Sequence, residues 1–112
     1  MIVLLRLLFG AILVAMLATT AWASLEANVF TGGAEMLRNR WAVATLADAY
    51  FGFLTFFVWV AWRERTMAAR AVWFVLIMLL GNIAMSVYML IALSSIDRTG
   101  SLDQLFKRKE AA

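Results

Sequence analysis

Cysteine, histidine and proline are all absent from the 112 residues. Without cysteine or histidine there is no disulfide, no thiolate or imidazole metal site, no thiol nucleophile and no imidazole general base. No cofactor and no metal are therefore expected, and an enzyme is not the reading these residues favour. The lack of proline, of Gly/Ser-rich linkers and of internal repeats leaves nothing to mark a boundary, so residues 1–112 read as one domain. Charge is sparse too, at 15% of residues with ten Lys+Arg against seven Asp+Glu. The basic residues stand at the ends of apolar runs and in the tail rather than on one face, which argues against a nucleic-acid surface. Residues so placed set membrane topology and meet anionic headgroups.

What the chain has in excess is apolar surface. Apolar residues make up 65% of it, and its mean hydropathy is +0.88, whereas a soluble domain is about half apolar. A soluble core of this size would leave much of that surface in water, and lipid accepts it. The pattern predicts an all-α integral membrane protein, multi-pass, with three transmembrane helices running up-down-up, short loops and a polar C-terminal tail. The spans fall at about 3–22, 42–62 and 71–93, with the tail at 94–112. If the source is bacterial, the location is the cytoplasmic membrane.

The first apolar segment carries Arg6 near its start and Ala21-Trp22-Ala23 near its end, a pattern that a signal peptidase would also accept. A retained helix is the expectation, because Leu4, Leu8, Ala11, Ala15, Ala18 and Trp22 share one face on which alanines allow close helix approach. In the polar connection that follows, Gly32-Gly33 reads as a break and Ala34 to Arg40 as a short interfacial helix.

The second span, Trp41 to Trp62, sorts its residues by side. Thr45, Asp48, Gly52, Thr55 and Trp59 fall on one face and Leu46, Tyr50, Phe53 and Phe57 on the other. The small and polar face is expected to meet protein, the aromatic face lipid or a larger partner. On the third span Val75, Met78, Asn82, Met85, Ser86 and Met89 share a face suited to helix packing. Trp22 and Trp41 then anchor one interface and Trp59, Trp62 and Trp73 the other. Three spans and the basic residues near helix ends predict the N-terminus inside and the C-terminus outside. The tail, with Lys107-Arg108-Lys109, is expected to be disordered or to lie on headgroups.

The segments WASLE, ATLADAYFGFLTFFVWVAWRER and AVWFVLIMLLGNIAMSVYMLIAL resemble a family of small membrane proteins of bacteria and plants, the domain of unknown function 1475 family. The resemblance runs from about Leu7 to Leu93 and is most specific at Trp22-Ala23-Ser24, Thr45-Leu46-Ala47-Asp48, Val58-Trp59-Val60-Ala61 and Gly81-Asn82. It implies a retained first helix and a fold, and it carries no assigned activity.

Asp48 is the one ionisable side chain well inside a span. Its insertion costs up to about 2.5–3.5 kcal/mol, so it marks a paired or functional position. Antiparallel second and third spans would bring it to the depth of Ser86 and near Asn82, within hydrogen-bonding reach. Asp48, Asn82, Ser86, Thr45, Gly52 and Thr55 are thus the residues expected to pack helices or carry function. The expected role is a non-catalytic accessory or assembly subunit of a larger membrane complex, in contact with the bilayer and with other membrane subunits. The alternative is a homo-oligomeric transporter or proton-handling protein built around Asp48.

Overall fold

The computed structural model describes residues 1–26, 29–96, 100 and 102–107. Among them there is no strand. Five α-helices follow one another, α1 (Ile2–Glu26), α2 (Val29–Leu37), α3 (Arg40–Arg63), α4 (Met67–Leu80) and α5 (Asn82–Ser94), before a short 3-10 turn at Leu102–Phe106. Two of them, α1 and α3, are long and apolar enough to cross a membrane.

The expected third span does not form. Its apolar run breaks at Gly81, where φ 56° and ψ −122° match the first central position of a type II′ turn, a place that glycine dominates. The chain doubles back there. The rings of Trp73 on α4 and Tyr88 on α5 lie 4.9 Å apart, whereas fifteen residues of straight helix would hold them about 22 Å apart. Glycine is also required on steric grounds, since a Cβ at position 81 would lie 2.7 Å from Cζ of Phe53. The continuous face assigned to Val75 through Met89 is therefore split. Val75 and Asn82 are exposed, while Ser86 and Met89 are buried on α5.

The reversal brings the start of α1 and the end of α5 to one end of the molecule. Ile2 is buried together with Met89, Ala92, Leu93, Ile96 and Leu105, so α1 and α5 run antiparallel and the N-terminus lies beside the end of α5. This corrects the up-down-up order, in which the termini would have been at opposite ends. It also corrects the reading of the tail, because Leu105 of the 3-10 turn is 5% exposed and its carbonyl accepts from Trp59 Nε1 at 3.1 Å. Asp97 to Thr99, Ser101 and 108–112, including Arg108 and Lys109, lie outside the described residues.

Arginine side chains close the helix ends here. Arg6 donates to the carbonyls of Leu93 (2.8 Å) and Ile96 (2.7 Å) after α5. Arg70 Nε donates to Ala61 O (2.8 Å) and Glu64 O (3.1 Å) after α3. Cations on terminal carbonyls also complement the helix dipole. Side-chain caps start two helices as well, Asn39 for α3 and Thr66 for α4.

At the other end, α2 runs through Gly32 and Gly33 without breaking, although glycine costs a helix about 1 kcal/mol relative to alanine. On α1 the packed face is Ile2, Leu5 and Phe9. Ala11, Ala15 and Ala18 are exposed, as are Leu4 at 65% and Leu8 at 51%, so the expected alanine face is not the one used.

Candidate functional site

The faces of α3 are largely reversed relative to the expectation from sequence, and of the five residues expected to meet protein only Trp59 does so. Its aromatic side packs on the α4–α5 hairpin. Phe53 covers Gly81, Phe57 meets Phe74 edge-on at 5.1 Å, and the Tyr50 hydroxyl donates to Met78 O at 3.1 Å. Tyr50 thereby supplies a donor to one of the carbonyls freed where α4 ends. Thr45, Asp48, Gly52 and Thr55 are all exposed.

Asp48 makes no hydrogen bond to Ser86 or Asn82. Ser86 is buried on α5 and Asn82 opens α5 at the surface, and no side-chain hydrogen bond caps that helix. The pairing expected from equal depth fails because α5 runs back from Gly81 instead of continuing α4. Along the open face, Thr45 and Thr55 satisfy their hydroxyls on their own helix, at Trp41 O and Phe51 O, both at 2.9 Å. A Cβ at Gly52 would meet nothing within 4 Å. Nothing among the described residues therefore requires a glycine there, although it weakens the helix.

A second polar constellation was not anticipated. Arg63 and Glu64, at the end of α3, are 7% and 5% exposed, and Tyr88 of α5 is 2% exposed. Arg63 Nη1 donates to the Tyr88 hydroxyl at 3.1 Å, and that hydroxyl donates to Glu64 Oε1 at 3.0 Å. Trp59, Trp73 and Phe56 meet the Tyr88 ring edge-on. The Arg63 guanidinium lies 5.9 Å from the Trp59 ring centre and 5.6 Å from that of Tyr88, within cation–π range. Two side chains of opposite charge are thus enclosed by aromatic rings and joined through one hydroxyl. This arrangement ties the end of α3 to the returning arm of the hairpin. The visible signal was an Arg-Glu-Arg run directly after an apolar span, with a phenol in the next apolar run.

The tryptophans divide accordingly. Trp22, Trp41 and Trp62 are exposed, at 65%, 84% and 46%, while Trp59 and Trp73 are half-buried around Tyr88. Among the described residues no group of three or more His, Cys, Asp or Glu side chains stands together as metal ligands would.

Two membrane-length helices clasping a hairpin of two shorter apolar helices define a small all-helical protein with one polar face left open. The sequence model of the family described as protein of unknown function (DUF1475) matches residues 1–109. The chain belongs to that family. Nothing among curated proteins or solved structures matches it.

Proposed function

We propose that this is a two-pass integral membrane protein whose α4–α5 hairpin enters the bilayer and returns to the same side. In this reading it works as a non-catalytic subunit that docks on another membrane protein through Thr45, Asp48, Gly52 and Thr55. Membrane residence draws support from the exposure of the long helices. Only 6% of the apolar window of each is buried, whereas the core helix of a soluble protein of similar composition would be mostly covered. Arg6, Arg63, Arg65 and Arg70 cluster at the end that holds the termini, against Arg38 and Arg40 at the α2 end, which favours a cytoplasmic location for both termini.

The observation that carries the docking role is Asp48 itself. A carboxylate in a lipid-facing position without a partner is costly, and here it shares a row with a glycine that nothing among the described residues needs. A second helix approaching closely would account for both. The alternative, a self-associating proton-handling protein around Asp48, uses the same face.

The test exploits the absence of cysteine. A photo-cross-linker on Thr55→Cys, activated in native membranes, is expected to give one adduct of defined mass with a different polypeptide, and the same probe on Leu54→Cys none. Asp48→Leu should lower the adduct roughly 3- to 20-fold, the range set by interhelical polar contacts of about 0.6 to 1.7 kcal/mol, and Asp48→Asn should preserve it. An adduct with a second copy, together with loss of function in Asp48→Asn at normal expression, would favour the alternative. No adduct at Thr55 would contradict both.

A further inference from the structure

The 3-10 turn at Leu102–Phe106 is seated where three helices begin or end. Leu105 shares one core with Ile2 at the start of α1 and with Leu93 and Ile96 at the end of α5, and Leu102 and Trp59 pack against it. Trp59, one turn before the end of α3, donates its indole N–H to Leu105 O at 3.1 Å. The turn thus joins α1, α3 and α5. Its own hold is slight. Leu105 is its one buried side chain, Phe106 is 68% exposed, and Asp103, Gln104 and the following Lys107 are exposed. A short segment with so few buried apolar contacts belongs to the parts of a protein that open locally at low free energy.

We infer that this turn is a clasp closed by anionic phospholipid headgroups: the basic run that begins at Lys107 engages them, which keeps Leu105 seated and α1 fastened to α5. The inference rests on membrane residence and not on the docking face. Three observations select the partner. The ends of membrane-length helices lie at headgroup level, and the turn sits on those ends. Arg6 and Arg70 are engaged on helix-terminal carbonyls and Arg63 on the Tyr88 hydroxyl, whereas Lys107 is exposed and Arg108 and Lys109 follow it in the sequence. Phe106 stands exposed beside these cations, and an aromatic ring next to basic residues suits the boundary between headgroups and acyl chains. A soluble polyanion would leave that ring in water. The apolar anchor and the first cation are two residues apart, so each holds the other near its partner and raises its effective concentration. An anionic surface favours each nearby Lys or Arg by about fivefold, which for three gives an upper limit on the order of 100-fold in the ratio of closed to open clasp. An open tail keeps part of that attraction, and a change of about tenfold is expected.

The test places the full chain in vesicles of phosphatidylcholine alone or mixed equally with phosphatidylglycerol. Leu105→Cys is reacted with N-ethylmaleimide, an uncharged reagent, and Gln104→Cys, at an exposed position of the same turn, corrects for the effect of the surface on the reaction itself. Protection of position 105 relative to 104 is expected to rise about tenfold with phosphatidylglycerol. The rise should vanish at about 1 M salt, where the Debye length is about 3 Å, and in the triple variant Lys107→Gln, Arg108→Gln, Lys109→Gln. Leu102→Cys, at the half-buried position of the turn, repeats the measurement with Leu105 in place. Equal protection in the two kinds of vesicle at both positions, or lower protection with phosphatidylglycerol, would overturn the clasp. Release of the chain from the vesicles by an alkaline wash would overturn membrane residence, and the inference with it.

Discussion

Gly81→Ala is expected to destabilise the protein by about 2–5 kcal/mol, and Gly81→Leu to prevent its accumulation. Two separate costs combine. A side chain in this backbone conformation costs at least the roughly 1–2 kcal/mol of a left-handed residue, and its Cβ would stand 2.7 Å from the Phe53 ring, an overpacking worth about 1–3 kcal/mol. The ring can move and the backbone angle cannot. Adding Phe53→Leu should therefore recover the steric part in a Gly81→Ala background and leave the conformational part. Denaturant titration in detergent, followed by tryptophan fluorescence, measures both. Full recovery in the double variant would show that the turn itself imposes no demand for glycine.

Arg63→Ala is the second large effect, with an expected loss of about 2–5 kcal/mol, because it removes the buried charged donor to the Tyr88 hydroxyl and the guanidinium packed on the Trp59 and Tyr88 rings. Tyr88→Phe removes the connecting hydroxyl while keeping the ring among Trp59, Trp73 and Phe56, so a smaller loss of about 1–3 kcal/mol is expected. The two changes act on one network. The double variant should then lose less than the sum of the single losses, and a coupling near zero would show that the hydroxyl bridge contributes nothing.

Helix content, two long apolar helices and the family were legible in the sequence, because length, hydropathy and local motifs encode them directly. The third span was misread for a physical reason. Hydropathy measures side chains, and the run from Ala71 to Leu93 is uniformly apolar, whereas the reversal is a property of the backbone at Gly81. A lone glycine in an apolar helix is usually tolerated; here the decisive fact was the phenyl ring of Phe53 above it, which no local pattern displays. Once the third helix turned back, the Asp48–Ser86 pairing failed with it, because that pairing assumed a straight helix, although Ser86 and Met89 are buried as expected. The inner face of α3 was misjudged on its own pattern, in which aromatic rings read as the side turned to lipid. Arg6, Arg63 and Arg70 were misassigned in a related way. Composition marks basic helix ends as headgroup contacts, and only the fold shows that two of them close helix ends and the third is enclosed.

The central claim is that α4 and α5 leave and return on the same side. Cysteine accessibility measures this most directly, because the native chain contributes no background. Single cysteines at Ala34, Ala68 and Ser95 are labelled in intact cells with a membrane-impermeant maleimide, and again after permeabilisation. The account predicts that Ala68→Cys and Ser95→Cys react only after permeabilisation and Ala34→Cys reacts without it. Labelling of Ser95→Cys together with Ala34→Cys, on the side opposite Ala68→Cys, would restore a third crossing and contradict the hairpin.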